Sequence, residues 1–206
     1  MAQQKYLLNK NCIDPTFIHL MNQEIDSMSY QDSMILFLTR DKLKNQRFYE
    51  LLKTNSVINQ YLKNDSYVVI RCVKNGLNKA AYYPHFDNYS ETVMVPIKMP
   101  QTFPDGALLM WENTRGLPSN SIVNAIQKVF FQNSIIKTIL LKFFRGKFHK
   151  VPVVPGDIAI FNGMTNLHFN IEALQERRTI LIHNHQPFRN SLFVKASERL
   201  SQLFFG

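Results

Sequence analysis

Short segments rich in β-branched and aromatic residues, separated by turn residues, dominate the chain after residue 65. One turn carries the pair Asn75-Gly76, a strong hairpin signal, and another is Pro155-Gly156-Asp157. The segments that predict strands are 67–73, 79–84, 92–99, 107–111, 151–154, 157–161 and 179–185. Many short strands with turns between them are typical of an antiparallel sandwich or barrel.

Other parts of the chain have the spacing of helices. Asp14-Pro15 is a capping residue followed by proline at the first helical position, and Phe17, Met21 and Ile25 follow at helical intervals. We therefore expect the 206 residues to form one α+β domain. Its predicted parts are N-terminal helices over 12–63, barrel strands over 66–118 and 150–187, a helical insertion over 119–149 and a C-terminal helix over 190–205.

The segment 119–149 interleaves large apolar residues with lysines and arginines. No acidic residue occurs between Glu112 and Asp157. Such a segment could cap the barrel, cover an active site as a lid, or lie on a membrane surface as a basic amphipathic helix. Its nearly continuous apolar positions favour packing on the barrel, but all three interpretations stay open. Phe204 and Phe205, close to the C-terminus, suggest a docking contact, for which a homodimer is one explanation.

Composition narrows the class of protein. Hydrophobic residues make up 45% of the chain, enough for a sizeable core, and no run of 18 apolar residues predicts a membrane-spanning helix. The first residues lack the apolar stretch of a signal peptide and there are only two cysteines, so we expect a cytoplasmic protein. The net charge of +9 fits either a solvated basic surface or an anionic partner, whether nucleic acid, phospholipid headgroup or acidic metabolite, and charge alone does not choose among these. We expect a small-molecule or anionic substrate and no specific nucleic acid, because no motif for nucleic-acid binding is present.

Two histidines and one aspartate form the candidate site. His85 and Asp87 are two residues apart, and on an extended segment such residues point to the same side. His168 follows far downstream, after an apolar strand, and Arg177 and Arg178 come nine and ten residues later. Two histidines and one carboxylate are the ligand set of non-heme Fe(II) oxygenases, which leaves three metal positions open.

This order of motifs resembles the Fe(II)/2-oxoglutarate-dependent dioxygenases, with the resemblance covering residues 66–187. It implies a distorted double-stranded β-helix, a jelly-roll relative of the cupins. It also implies Fe(II) bound by His85, Asp87 and His168, with 2-oxoglutarate and O2 as cosubstrates and succinate and CO2 as products. Related halogenases lack the carboxylate ligand, so Asp87 points to hydroxylation or desaturation.

The resemblance also implies residues that bind the cosubstrate. An arginine is expected to meet the distal carboxylate of 2-oxoglutarate, because a guanidinium matches a carboxylate with two hydrogen bonds. Alternation lets only one of Arg177 and Arg178 point inward. Arg177 is favoured because Thr179 follows it at the spacing of the family's Arg-x-Ser/Thr pattern. Tyr82 and Tyr83 precede the first ligand, and one of them is expected to contact the cosubstrate.

Several further residues are candidates for other roles. Trp111, Glu112 and Arg115 follow one predicted strand and are candidates for substrate binding, although Trp111 fits the core better. His183 and His185 form a His-x-His pair that offers a rival to His168 as ligand, but His168 has the expected place ahead of the arginines.

The sequence thus predicts an oxidoreductase of the 2-oxoglutarate-dependent type. It is expected to hydroxylate an unactivated C–H bond of a small-molecule, lipid-linked or side-chain substrate. The alternative is a cupin-like module that binds a metal without catalysis.

Overall fold

Two antiparallel sheets organise the part of the chain that the computed structural model describes, which is residues 6–28, 30, 33–38, 45–74, 83–101, 105–131, 133–188 and 191. The larger sheet has six strands in the order β1-β7-β4-β9-β3-β2. Its strands are β1 (Tyr6–Asn9), β2 (Ser33–Leu38), β3 (Tyr67–Val73), β4 (Glu91–Lys98), β7 (Ile158–Phe161) and β9 (Arg177–Asn184). The expected α+β class is confirmed.

The smaller sheet has three strands in the order β6-β5-β8, which are β5 (Leu108–Trp111), β6 (His149–Val151) and β8 (Leu167–Asn170). His85 extends this sheet through an antiparallel bridge to His168 on β8. The backbone N–H of each histidine donates to the carbonyl of the other, at 3.0 and 3.1 Å. Two residues more than 80 positions apart are thereby held side by side.

Three N-terminal helices cover the outer face of the larger sheet. They are α1 (Pro15–Asp26), α2 (Gln46–Thr54) and α3 (Ser56–Asn59). As expected, Asp14 caps α1 by accepting a hydrogen bond from the backbone N–H of Thr16 at 2.7 Å. The buried face of α1 carries Phe17, Met21 and Ile25. These side chains pack in one core with β3, β4 and β9, whose Ile180 and Ile182 point toward the helices.

A second core fills the space between the two sheets. Alternation along β9 and β7 turns Leu181 and Phe161 to this side, opposite the helices. The buried members of this core are Tyr6, Met94, Leu108, Met110, Val151, Val153, Ala159 and Phe161. The candidate site lies at one end of this interior, because His168 pairs with Met110 and its ring contacts Phe161, with ring centroids 5.0 Å apart.

The predicted insertion between β5 and β6 forms two helices, α4 (Ser121–Phe131) and α5 (Ser134–Phe143). They pack on the outer face of the smaller sheet in a cluster that includes Phe86, Leu140 and Leu167. Insertion and sheet therefore share a third, smaller core. No helix in the described ranges combines the length and the apolar character needed to cross a bilayer.

Two expectations need correction. Helix was predicted throughout 12–63, but residues 33–38 form β2, which pairs with β3 over six residues. A continuous apolar run is compatible with either helix or strand, and here the long-range pairing decides. The strand predicted at 151–154 lies instead at His149–Val151, where it pairs with β5. The turn at Asn75-Gly76, most of the strand predicted at 79–84 and the C-terminal helix predicted at 190–205 lie outside the described residues, apart from single positions.

Candidate metal centre

The structure brings His85, Asp87 and His168 together. One ligand atom from each residue lies within 4.8 Å of the others. Nε2 of His85 is 3.9 Å from Oδ1 of Asp87, and Nε2 of His168 is 3.6 Å from Oδ2. Asp87 and His168 are buried, and His85 is half-buried. The cluster therefore has the ligand types and the spacing of a metal site.

Backbone carbonyls fix the orientation of both imidazoles. Nδ1 of His85 lies 2.8 Å from the carbonyl oxygen of Tyr83, and Nδ1 of His168 lies 2.9 Å from that of Asn166. A carbonyl only accepts, so each Nδ1 must carry the proton and donate it. The Nε2 of each ring then faces Asp87; it carries a proton when the imidazole is charged and is unprotonated when it binds a cation. Metal-binding histidines are oriented in this way in other proteins, so the donor set fits a bound cation.

The carboxylate of Asp87 is held from behind. Its backbone N–H donates to the carbonyl of Gly163 at 2.8 Å, and the hydroxyl of Thr92 donates to Oδ2 at 2.6 Å. Thr92 has one hydroxyl proton, so its 3.1 Å contact with Nδ1 of His183 must be a bond that it accepts. The chain His183–Thr92–Asp87 thus fixes the orientation of the carboxylate.

Charge around Asp87 outweighs its burial. Burial alone would raise the pKa of this carboxyl, but the neighbouring His168, His183 and His85 and a hydrogen bond with His168 hold that pKa well below its usual range. The carboxyl group is therefore ionised, as a metal ligand must be.

Gly163 allows the chain to pass close to this ligand. A Cβ at this position would lie 2.6 Å from Cβ of Asp87 and 2.7 Å from Oγ1 of Thr92. Side chains do not pack at such distances, so any larger residue would displace Asp87 or Thr92. The turn after β7 thus requires glycine for a steric reason at the candidate centre.

The two arginines of β9 lie on opposite faces of the strand. Arg178 points to the helical side, where it contacts Asp26 at 2.5 Å, Glu176 at 2.6 Å and Asn22 at 3.0 Å. Arg177 shares the inner face with His183, and its Nη1 donates to the carbonyl of Gly106 at 3.3 Å. Arg178 therefore forms its ion pairs on the helical side of the sheet. Arg177 is a buried cation on the opposite side, which is the side of the metal centre.

The other residues expected at the cosubstrate site differ in where they lie and in what they contact. Thr179 is buried on the inner face of β9, between Arg71 of β3 and Pro96 of β4. Tyr83 contributes its backbone carbonyl to His85 and is half-buried. Tyr82 lies outside the described residues.

The three candidates for substrate binding do not meet at the metal. Trp111 lies on the outer face of the smaller sheet, opposite Met110, and stacks on Phe144 with ring centroids 5.4 Å apart. Strand alternation turns it toward the insertion, where its packing agrees with the core position that the sequence favoured for it. Glu112 lies 3.0 Å from Nε2 of His149, whose ring stacks on Tyr6.

Arg115 serves as a link between the insertion and the metal-binding loops. Its Nε donates to the carbonyl of Met164 at 2.7 Å, its Nη2 donates to Asn124 at 2.5 Å, and its Nη1 contacts Gln127. The guanidinium also lies 3.8 Å above the ring of Phe86. Desolvation lowers the pKa of Arg115 to about 10, and the group stays charged. These contacts occupy the guanidinium inside the protein and explain its position without a substrate.

His183 and His185, the alternative ligands considered from the sequence, lie in different surroundings from each other. His183 lies behind Asp87, with its Nδ1 3.9 Å from Oδ2, and stacks on Tyr89. His185 contacts Lys63 at 2.8 Å and adopts a positive φ of 58°. Among the described residues the metal-like cluster contains His168 rather than either of them.

An open groove of about 410 Å³ lies at the ends of β1, β7 and β4, and Tyr6, Ser90, Phe161 and Asn162 are among its lining residues. Phe161 also contacts the ring of His168, and Asn162 precedes Gly163. The three candidate metal ligands are not among the residues that line this groove.

Sequence reasoning missed Thr92, His183 as a support for the ligand, and Gly163. Thr92 is an inward-facing position of a strand five residues after Asp87, a signal that alternation could have given. The contact with Gly163 joins positions 76 apart and needed the fold.

Comparison with known proteins shows likeness in structure alone. No family model matches the sequence, and no curated protein matches it. A prolyl-4-hydroxylase from Pseudomonas putida superposes with a TM-score of 0.53 at 12% identity, over 90% of this chain and 94% of that one. HygX from Streptomyces hygroscopicus, solved with nickel and 2-oxoglutarate, gives 0.57 at 10% identity, over 86% and 81%.

A third structure is a prolyl hydroxylase from Trichoplax adhaerens in complex with a peptide of hypoxia inducible factor. It gives a TM-score of 0.51 at 11% identity, over 89% of this chain and 84% of that one. Together with the His-Asp-His cluster, these likenesses support the resemblance that the sequence suggested. The chain has the fold of the prolyl hydroxylases and HygX.

Proposed function

We propose that this protein is an Fe(II)- and 2-oxoglutarate-dependent oxygenase that hydroxylates an unactivated C–H bond. The observation that carries the proposal is the cluster of His85, Asp87 and His168, in which hydrogen bonds turn both Nε2 atoms toward a buried carboxylate. Neutral imidazoles with one carboxylate suit Fe(II) and leave open positions for other ligands.

The strand order supports a double-stranded β-helix. Taken along the chain, β3, β4, β7 and β9 belong to the larger sheet, while the His85 bridge, β5, β6 and β8 belong to the smaller one. The spatial orders are β7-β4-β9-β3 and β6-β5-β8-His85. The four central strands of the larger sheet, and the three strands of the smaller sheet together with the bridge at His85, alternate between the two sheets along the chain, as in a jelly roll.

Arg177 is the proposed partner of the distal carboxylate of 2-oxoglutarate. It is buried on the inner face of β9, two residues from Thr179 and on the same face as His183. Arg178 is held by Asp26 and Glu176 and is the weaker candidate. A buried guanidinium offers a dicarboxylate both charge and paired donors. A tyrosine before His85 remains a proposed contact for the same ligand.

Bound Fe(II) would supply the activation of O2 that couples decarboxylation of 2-oxoglutarate, to succinate and CO2, with hydroxylation of the substrate. The chain's own residues orient and shield this chemistry. His183 and Thr92 hold Oδ2 of Asp87, and the ring of Phe161 packs against His168. Shielding of His168 by the Phe161 ring would limit access of water to the centre and so favour reaction with substrate over side reactions.

The proposed substrate is a small molecule, a lipid-linked group or a protein side chain. Among the structural neighbours, one is bound to a peptide, and HygX has also been solved with hygromycin B. The net charge of +9 favours an anionic group on the substrate of this chain. We further propose a cytoplasmic location, in which reducing conditions keep iron ferrous.

Anaerobic titration with Fe(II) and then 2-oxoglutarate tests this function. We expect wild type to develop the weak visible charge-transfer band of an iron–2-oxoglutarate chelate, and we expect His168→Ala to lose it. His19→Ala, at an exposed position of α1, is the matched control and should keep the band. Iron binding without the band would favour the non-catalytic metal module, and failure of folded wild type to bind iron would overturn the proposal.

A further inference from the structure

The two helices of the insertion expose large apolar side chains at regular spacing. On α4, Ile122, Ile126 and Phe130 are 59%, 64% and 57% exposed. On α5, Ile135, Ile139 and Phe143 are 67%, 43% and 67% exposed. Each set recurs every four residues, so each forms one stripe along its helix. We call these six residues the apolar stripes.

The stripes are additional to the faces by which the helices pack on the sheet. Phe131, Ile136 and Leu140 already contact the cluster around Phe86 and Leu167. A helix that is apolar on more than one side is typical of a buried helix or of one that meets an apolar surface. Six large side chains left in water indicate an interaction site rather than ordinary surface scatter.

The charges around the stripes select the kind of partner. Between residues 113 and 156 the sequence has seven lysines and arginines and no acidic residue. Lys142, Arg145 and Lys147 are exposed beside Phe143 and Phe144, and Nζ of Lys142 lies 5.4 Å from the centroid of the Phe143 ring. A symmetric contact with a second copy would set these cations against one another. An anionic surface complements them.

We propose that the insertion docks on the anionic phospholipid headgroups of a membrane, with the apolar stripes entering the interface. The helices have 11 and 10 residues, and helices of this kind bind in the plane of the interface. Phenylalanine with flanking lysine and arginine is the composition of an interfacial anchor. This inference does not depend on the proposed oxygenase activity, because docking requires no metal or cosubstrate.

The proposal is tested by co-sedimentation of the full chain with phosphatidylcholine vesicles, with and without about 30% phosphatidylserine. We expect binding only to the anionic vesicles and weakening by salt. The double variant Ile126→Ser/Phe130→Ser should reduce binding at least ~10-fold, since it removes two exposed apolar groups that would become buried in the membrane interface. Leu174→Ser, which changes a 75% exposed leucine outside the insertion, should leave binding unchanged.

Charge variants separate docking from general attraction. Arg145→Gln and Lys147→Gln should each lower binding to anionic vesicles about fivefold. Lys10→Gln, at an exposed position near the N-terminus and outside the insertion, should not lower it. Equal losses from all three changes would overturn the proposal, because binding would then follow net charge alone.

Trp111 gives a second readout that needs no variant. It is the only tryptophan and stacks on Phe144 at the end of α5. We expect energy transfer from Trp111 to a dansyl-labelled lipid in anionic vesicles. Absence of vesicle binding, or a concentration-dependent dimer that the stripe variant abolishes without any vesicle binding, would overturn the proposal in favour of another occupant.

Discussion

Arg177 and Arg178 are neighbours on β9, yet their guanidinium groups lie on opposite faces of the sheet. The outer face bears Arg178, bound to Asp26 and Glu176, followed by Ile180 and Ile182 in the core beneath the helices. The inner face begins with Arg177 and ends with His183, which supports the carboxylate of Asp87 through Thr92. The two faces of β9 thus differ: one packs beneath the helices, and the other carries residues that face the candidate centre.

The comparison shows that residue type does not determine role. A buried arginine surrounded by carboxylates holds α1 against the sheet, and its charge is already neutralised. The same residue type one position earlier is buried on the inner face, where we propose that a dicarboxylate cosubstrate binds. Changes on the outer face should therefore act on folding stability, and changes on the inner face should act on metal and cosubstrate binding.

The largest effect is expected from Arg178→Gln. Loss of the guanidinium removes one of the cations that contact the partly buried Glu176, another being Lys98, and it also breaks the ion pair with Asp26. We therefore expect the free energy of unfolding to fall by about 3 kcal/mol. Urea denaturation measures the change. Arg178→Lys is the control and should recover only part of it, because an ammonium cannot reproduce the forked contacts to Asp26 and Glu176. A free energy of unfolding equal to that of wild type would contradict the claim that Arg178 stabilises the fold.

Arg177→Gln is the matched change on the inner face. We expect the KM for 2-oxoglutarate to rise about 100-fold, since a charge-assisted pair is removed, with a smaller effect on kcat. Uncoupled turnover of 2-oxoglutarate to succinate provides the assay. If Arg178→Gln raised this KM as much at a temperature where both variants are folded, the assignment of the two faces would be wrong.

Thr92→Val tests the link between His183 and the ligand. The change keeps the shape of the side chain and removes the hydroxyl that holds Oδ2 of Asp87. We expect Fe(II) affinity to fall about 10-fold, at the lower end for residues that orient metal ligands. Metal titration followed by calorimetry measures it. Thr54→Val, which removes a hydroxyl bonded to the carbonyl of Leu51 at the exposed end of α2, is the control and should keep wild-type metal affinity.

Glu176→Gln tests how the stability contributed by the outer face depends on pH. Burial would raise the pKa of Glu176, but hydrogen bonds from Lys98, Tyr30 and Arg178 lower it to about 2. Its ionised form therefore stabilises the fold fully above the ordinary pKa of 4.5, and this stabilisation is lost as the pH falls toward 2.

We accordingly expect Glu176→Gln to lower stability by about 1–2 kcal/mol at pH 7 and by progressively less below pH 4.5. Thermal melts across this range measure the difference from wild type. A difference that stayed constant down to pH 3 would show that the carboxylate charge contributes nothing. Glu50→Gln, at an exposed i,i+3 pair with Lys53, should change stability little at any pH.

Much of the centre could be predicted from local patterns. The i, i+2 spacing of His85 and Asp87 and the order of His168 and the arginines were enough to propose the ligand set. Alternation on β9 also required that the two arginines diverge. The two spacings are local signals, because extended backbone alternates its side chains whatever the rest of the fold does, whereas the place of His168 followed from the order of motifs along the chain.

Features that depend on distant pairing could not be read from the sequence. Residues 33–38 have apolar residues that fit a helix, and only pairing with β3 makes them a strand. Trp111 was a candidate for the substrate side, and the helices of the insertion explain why it faces away. Arg115 was also a candidate for substrate, and its contacts reach loops that the sequence did not connect to it.

The most direct test is a crystal structure of the protein grown without oxygen in the presence of Mn(II) and 2-oxoglutarate. We expect the metal on Nε2 of His85, a carboxylate oxygen of Asp87 and Nε2 of His168, with the distal carboxylate of 2-oxoglutarate on Arg177 and Arg178 still bound to Asp26 and Glu176. A metal bound by His183 or His185, or a cosubstrate carboxylate on Arg178, would contradict the account.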